Sequence, residues 1–207
     1  MRSAVRQGRK IFHNFKKGVR YIISIHIPII LTASLPLVLG WQYPTIFTPI
    51  HVIFLELIMG PTCSVFYEKD PVTGDIMNQP PRNRKTGLFS RKELIISIVL
   101  GLIITGGVLA LYYWFMQQGA GLPKTRTIVF TTLISANIFL TFANRSLTEN
   151  FFKTIRYKNS LVPIVVIVSI LFLCAVLTVP WLRDLFGLVP VSLPELLISI
   201  GTGFITV

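Results

Sequence analysis

The chain has 207 residues, of which 52% are hydrophobic and 14% charged, and its mean hydropathy is +0.68. A water-soluble globular domain of this length is far less apolar, so the composition excludes that class and predicts an all-α membrane protein. The net charge of +12 does not by itself indicate a nucleic-acid partner, because in a membrane protein the position of each positive charge relative to the spans decides its meaning. We predict no binding of nucleic acid.

Long uncharged runs recur along the chain, and about 20 apolar residues are enough for a helix to cross the bilayer core. We predict six transmembrane helices, at residues 21–40, 48–67, 94–116, 127–144, 161–182 and from 189 onward. Of the 20 Lys and Arg residues, all but Lys124, Arg126 and Arg183 lie before the first span or in the loops after the second and fourth. Positive charges favour the cytoplasmic side, so the N-terminus is predicted to be cytoplasmic.

Residues 1–20 are predicted to form a basic, amphipathic stalk helix that leads into the first span. Four apolar residues recur at helical spacing among the basic ones: Ile11, Phe12, Phe15 and Val19. A helix that lies on anionic lipid headgroups is the alternative interpretation of the same pattern.

The second predicted span carries an acid where hydrocarbon is expected. Glu56 lies near its middle, and a carboxylate at that depth costs roughly 2.5 to 3.5 kcal/mol, so it normally faces a partner or water. Gly60 and Pro61 follow one turn later, and Pro61 has no N–H, which should break the helix and free the carbonyl of Leu57. Transporters coordinate desolvated cations with such oxygens near the midplane. The segment therefore predicts a cation site.

Two other spans offer polar groups at a comparable depth. In the first, Pro28 should interrupt the helix and release the Ser24 carbonyl near His26, and in the fourth, Asn137 lies near the midpoint. Each group has a simpler explanation: a plain kink for Pro28, a histidine satisfied within the bundle for His26, and an interhelical hydrogen bond for Asn137. We take Glu56 as the charged ligand, with His26 and Asn137 as candidates beside it.

The loop at residues 68–93 is rich in Pro, Gly, Asn and charge, and it divides the chain into a two-helix unit (21–67) and a four-helix unit (94–207). Near the end, Glu195 follows a helix-start signal and is expected to cap its helix. The helix from residue 194 to 207 would measure only on the order of 21 Å, against a hydrocarbon core of about 30 Å. We expect the sequence to stop partway through its last span.

Three segments carry a family resemblance: GRKIFHNFKKGVRYIIS (8–24), GDIMNQPPRNRKTGLFSRKEL (74–94) and FTTLISANIFLTFANRS (130–146). They are similar, respectively, to the approach to the fifth membrane helix, the loop before the seventh, and the eighth helix of P-type cation-transporting ATPases of the calcium-pump-like group. The resemblance implies that the six spans correspond to the fifth to tenth helices of a ten-helix pump.

The resemblance also implies ligand positions in the first, second and fourth spans: His26, Ile29, Glu56, Met59, Gly60 and Asn137. Calcium pumps typically carry Asn and Glu in the first of these helices and Asn and Asp in the second. This sequence has His26, Ile29, Glu56 and Gly60 instead, so both family acids are lost and the gained Glu56 is the one acidic ligand from these helices. A hard divalent ion usually requires more anionic oxygen, which leaves a proton or a monovalent cation as the competing cargo. In the loop, Gln79 stands where the family usually has Arg.

By the same resemblance, no cofactor and no catalytic residue belong to this chain. ATP and Mg²⁺ would act in the complete pump, whose phosphorylation, nucleotide-binding and actuator domains lie upstream. The expected partners are the lipid bilayer and that N-terminal part of the pump, and the expected location is the plasma membrane if the source is bacterial. The alternative is a stand-alone, non-catalytic membrane subunit or assembly partner with a pump-like scaffold.

Overall fold

The computed structural model describes residues 2–61, 67–70, 77, 88–145, 159 and 161–207, and all regular structure in these residues is helical. The helices are α1 (Arg2–Val38), α2 (Pro49–Pro61), α3 (Tyr67–Lys69), α4 (Arg91–Gln117), α5 (Leu122–Ala143), α6 (Leu161–Thr178), α7 (Pro180–Leu185) and α8 (Leu193–Ile205). The predicted all-α class is confirmed. Helices α1, α4, α5 and α6 are long and apolar enough to cross a membrane, whereas α2 and α8 are shorter apolar helices. The count of six spans therefore stays a prediction.

Helix α1 is one uninterrupted helix of 37 residues that contains both the predicted stalk and the predicted first span. At 1.5 Å per residue it is about 55 Å long, well beyond the roughly 30 Å of a hydrocarbon core. One end must therefore extend out of the bilayer, as a stalk would. Helix α5 is the most enclosed of the long helices and lies between α4, α6 and α8.

The fifth predicted span ends earlier than expected. Helix α6 stops at Thr178 instead of residue 182, and the short helix α7 starts at Pro180. The reason is local, because a proline disfavours helical geometry in the residue before it, and Val179 adopts an extended conformation.

The last helix starts at Leu193 instead of residue 189. The Ser192 amide donates to the Glu195 carboxylate at 2.8 Å, which satisfies one of the free N–H groups at the helix start. The predicted capping role of Glu195 is confirmed. The same carboxylate lies 2.6 Å from the ammonium of Lys124 on the first turn of α5.

Glycines allow three pairs of helices to approach closely. A Cβ at Gly101 of α4 would lie 2.8 Å from the Ser24 carbonyl oxygen of α1, and a Cβ at Gly107 would lie 2.4 Å from a methyl group of Thr206 at the end of α8. A Cβ at Gly203 of α8 would lie 2.8 Å from the Ala136 backbone nitrogen of α5. Small residues at such crossings are the usual means of packing membrane helices.

Candidate cation site

His26 and Glu56, two of the predicted ligands, lie side by side. His26 is on α1 and Glu56 on α2, and the Nε2 atom of His26 is 3.0 Å from Oε1 of Glu56. The other ring nitrogen, Nδ1, lies 2.8 Å from the carbonyl oxygen of Ile22, one turn earlier in α1. The imidazole is therefore oriented by its own helix on one side and by the carboxylate on the other.

A hydrogen bond between these two side chains depends on which of their atoms carry hydrogen. A carbonyl oxygen only accepts hydrogen bonds, so Nδ1 of His26 carries the hydrogen that it donates to Ile22. Nε2 and the Glu56 carboxylate can form a hydrogen bond only if one of them carries a further proton. The pair is then either imidazolium with carboxylate or neutral imidazole with carboxylic acid. Both forms have no net charge, which lowers the cost of placing the pair at membrane depth.

Glu56 belongs to a face of α2 that the described residues leave open. Its side chain is 47% exposed and that of His26 is 36% exposed. The other exposed positions of α2, Pro49, Ile53, Leu57 and Gly60, share its face at helical spacing, and two of them, Ile53 and Leu57, are large apolar residues. A polar pair on an otherwise apolar, exposed face costs free energy in contact with lipid. This face is therefore expected to contact a polar group or water.

The predicted helix break after Glu56 lies partly outside the described residues. The backbone of α2 is helical through Gly60 to Pro61, so the helix is not interrupted up to that point. The structure does not describe residues 62–66. Because Pro61 has no N–H, it cannot donate to the Leu57 carbonyl one turn earlier. A ligand role for that carbonyl stays a prediction.

Pro28 does not interrupt α1, which corrects the prediction for the first span. The helix continues on both sides of this residue, so the missing N–H removes one backbone hydrogen bond without unwinding a turn. The Ser24 carbonyl that loses its partner packs against Gly101 of α4, where a Cβ would approach it to 2.8 Å. A neighbouring helix therefore covers this oxygen, which is not open to the His26–Glu56 pair.

The structure pairs Asn137 with Tyr21 and not with Glu56. Asn137 is buried on α5, and its Oδ1 atom accepts a hydrogen bond from the Tyr21 hydroxyl of α1. The Tyr21 ring packs against that of Tyr67 with centroids 5.6 Å apart, and the Tyr67 hydroxyl donates to the Thr141 carbonyl at 3.2 Å. The amide oxygen that would serve as a ligand is thus engaged in a bond between helices.

Asn137 and Glu56 also lie at different depths. Their partners on α1, Tyr21 and His26, are five residues apart, which is about 7.5 Å along a helix axis. Oxygen ligands of a cation such as Ca²⁺ lie about 2.3 to 2.6 Å from it, so one ion cannot contact both side chains in this arrangement. Sequence reasoning missed Tyr21, because a tyrosine at the start of a span is usual at the membrane interface.

A cluster of buried charges lies at the predicted cytoplasmic end of the helices, and we call Asp70, Lys17 and Arg145 the Asp70 cluster. The Asp70 carboxylate is 2.8 Å from the Lys17 ammonium and 2.6 Å from Nη2 of Arg145. The exposure of the three side chains is 0%, 1% and 0% in that order. The cluster joins α1 to the residues that follow α3 and α5. Sequence reasoning placed all three in a stalk or a loop, although one acid and two bases beside span ends could have indicated an ion pair.

Amide side chains strengthen the connection made by the Asp70 cluster. Asn14 of α1 donates to the backbone carbonyls of Glu68 at 3.0 Å and Asp70 at 2.8 Å. Asn144, just after α5, donates to the Lys17 carbonyl at 2.6 Å. Helix α1 therefore contacts residues 49–70 at two places. His26 contacts Glu56 within the predicted span, and Asn14 and Lys17 contact residues 68 and 70 at the predicted cytoplasmic end.

Comparison with known proteins identifies the family. Residues 44–207 match the family model described as cation transporting ATPase, C-terminus. The calcium-transporting ATPase 1 of Lactococcus lactis is 28% identical over 186 residues, which cover 90% of this chain and 21% of that protein. The calcium-transporting ATPase of Bacillus subtilis is 27% identical (97% of this chain, 22% of that protein). The human calcium-transporting ATPase type 2C member 1 is 25% identical (96% and 21%).

The chain spans about a fifth of the length of these curated relatives. The family match and the four helices long enough to cross a bilayer make it an integral, multi-pass membrane protein. The match covers most of the chain and includes the helix that carries Glu56. The chain belongs to the family of the C-terminal membrane region of P-type cation-transporting ATPases.

Proposed function

We propose that this chain forms the cation-translocating membrane part of an ATP-driven pump, in which Glu56 supplies the anionic ligand of the transported ion. The observation that carries the proposal is the contact of 3.0 Å between His26 and Glu56 on an open face of α1 and α2. Ionisable residues at membrane depth are rare and usually mark an ion pathway. No other acid of the described residues lies in the middle of a predicted span.

We propose Ca²⁺ as the cargo, because the relatives carry the name calcium-transporting ATPase. Ca²⁺ takes about six to eight oxygen ligands, and the Glu56 carboxylate with the Leu57 carbonyl could supply at most three of them. The remaining ligands would come from helices of the pump that pack on the open face around Ile53 and Leu57. A proton or a monovalent cation is the competing cargo, since Glu56 is the one acid at this position.

In this proposal, parts of the pump outside this chain bind ATP and Mg²⁺ and hydrolyse the ATP. The chain contributes no catalytic residue to that hydrolysis. Its partners are those parts and the lipid bilayer around α1, α4, α5 and α6. The Asp70 cluster and His26 are the contacts through which movement of the long helix α1 would reach the Glu56-bearing segment.

The test is ATP-driven Ca²⁺ uptake by the complete pump in sealed vesicles. Glu56→Gln should raise the half-saturating Ca²⁺ concentration at least about tenfold, a loss of about 1.4 kcal/mol of binding, because the ligand loses its charge. Glu68→Gln is the matched control, since Glu68 is an exposed acid beyond the spans and its uptake curve should not move. An unchanged curve for Glu56→Gln would refute the ligand role. A changed response to Na⁺, K⁺ or pH alone would identify the cargo as monovalent.

A further inference from the structure

His26 and Glu56 present a nitrogen and an oxygen side by side, and the proposed Ca²⁺ site uses only the oxygen. Nε2 of His26 lies 3.0 Å from Oε1 of Glu56. Ca²⁺ binds oxygen ligands, whereas imidazole nitrogen is a common ligand of divalent transition-metal ions such as Zn²⁺. The imidazole therefore gives this pair a binding chemistry that Ca²⁺ does not use.

The second ring nitrogen of His26 is held as it is in most metal-binding histidines. Nδ1 lies 2.8 Å from the Ile22 carbonyl oxygen, and because that oxygen only accepts, Nδ1 is the donor. In metal sites, the ring nitrogen that does not bind the metal almost always donates to a carbonyl, a carboxylate or water. This bond orients the ring and directs Nε2 toward Glu56.

The spacing of Nε2 and Oε1 suits one ion that binds both atoms. Zn²⁺ lies about 2.0 to 2.2 Å from imidazole nitrogen and carboxylate oxygen, so two neighbouring ligands of one ion are roughly 2.9 to 3.4 Å apart. The observed distance of 3.0 Å falls within that range. The side chains of His26 and Glu56 are 36% and 47% exposed, so rotation of the carboxylate can admit an ion without unpacking the helices.

Two side chains do not complete a metal site. Among the residues that the structure describes, no group of three or more His, Cys, Asp and Glu side chains could hold a metal ion. Water and helices of the pump outside this chain would supply the remaining ligands, as in the cation site proposed above. We propose that His26 and Glu56 together bind a divalent transition-metal ion such as Zn²⁺, which competes with Ca²⁺ for the Glu56 carboxylate.

Zn²⁺ and Ca²⁺ should have different effects on the reactivity of His26. Zn²⁺ bound to the pair occupies the lone pair of Nε2, whereas Ca²⁺ binds the carboxylate and leaves Nε2 without its contact to Glu56. Diethyl pyrocarbonate reacts with an unprotonated imidazole nitrogen. The rate of this reaction at His26 therefore distinguishes the two ions.

The test measures carbethoxylation of His26 by peptide mass spectrometry, in the complete pump in membranes at about pH 7.5 and without ATP. With Zn²⁺ at about ten times its dissociation constant, roughly one site in ten stays free, so the rate at His26 should fall about tenfold. Saturating Ca²⁺ should not slow the reaction. His13 is the internal control, because the cations Lys16, Lys17 and Arg20 act on it and disfavour a bound metal ion.

Glu56→Gln removes the anionic ligand and leaves the imidazole in place. Loss of even an outer partner of a metal ligand costs about 10- to 100-fold in affinity, so the Zn²⁺ concentration for half-protection should rise at least about tenfold. Glu68→Gln, at an exposed acid beyond the spans, should keep the original Zn²⁺ dependence.

Four results would each overturn the metal site: no protection of His26 by Zn²⁺, equal protection by Ca²⁺, equal protection of His13, or an unchanged Zn²⁺ dependence in Glu56→Gln. A His26 that does not react even without metal would overturn it as well, because its Nε2 would then be inaccessible.

The metal site rests on the proposed function for its remaining ligands, but protection of His26 requires neither ATP nor transport, so the two can fail separately. Zn²⁺ protection together with an unchanged Ca²⁺ uptake curve in Glu56→Gln would refute the transport role of Glu56 and support the metal site. A shifted uptake curve in that variant without Zn²⁺ protection of His26 would refute the metal site alone.

Discussion

The Tyr21 hydroxyl donates to Oδ1 of Asn137, so α1 and α5 are connected by a buried hydrogen bond between two side chains 116 residues apart in the sequence. Both side chains are buried, and the Tyr21 ring also packs against Tyr67. The bond occupies the oxygen by which Asn137 could bind a cation, and the structure therefore supports an interhelical role for this asparagine.

Tyr21→Phe should destabilise the chain by about 1 to 3 kcal/mol, because it leaves the Oδ1 atom of Asn137 buried without its donor. The matched control is Tyr113→Phe, which removes a hydroxyl from an exposed position of α4 and should change stability by less than about 0.5 kcal/mol. Reversible unfolding in mixed micelles measures both free energies. Equal values for the two variants would contradict the assigned bond.

The Asp70 cluster predicts that removing its carboxylate destabilises the chain more than removing one of its two cations. Asp70→Asn removes the carboxylate that two buried cations share and should cost about 3 to 5 kcal/mol. Lys17→Met leaves Asp70 paired with Arg145, and should cost clearly less, because the remaining pair is balanced. The same unfolding assay compares the two, with Glu68→Gln as a control at an exposed acid. A larger loss for Lys17→Met than for Asp70→Asn would show that the cluster is not organised around the carboxylate.

The two glycines of α8 should respond to alanine with opposite signs. A Cβ at Gly203 meets the backbone of α5 at 2.8 Å, so Gly203→Ala forces the helices apart at a cost of about 1 to 3 kcal/mol. A Cβ at Gly201 meets no heavy atom of the described residues within 4 Å, so Gly201→Ala should gain about 0.5 to 1 kcal/mol from reduced chain entropy. Thermal unfolding in one detergent reports both changes. A stabilising Gly203→Ala would contradict the close crossing of α5 and α8.

Much of the secondary structure could be predicted because it depends on neighbours along the chain. The length and apolarity of α4, the stop before Pro180 and the cap formed by Ser192 and Glu195 all follow from contacts within a few residues. The position of the candidate cation site could also be predicted, because an acid within an apolar helix is evident from the sequence and does not depend on how that helix packs. The local sequence does not show that α1 continues through Pro28, nor that packing against Gly101 covers the carbonyl that the proline releases.

The sequence by itself determined that this is a helical membrane protein and that Glu56 is its exceptional residue, because hydrophobic length and a misplaced charge are local properties. Only the tertiary structure decided which side chain meets which. The orientation of α1 about its axis brings His26 to Glu56 and Tyr21 to Asn137. Charges expected at the surface are instead buried, because Asp70 pairs with both Lys17 and Arg145. Such pairings depend on the relative positions of helices far apart in the sequence, on which spacing along the chain carries no information.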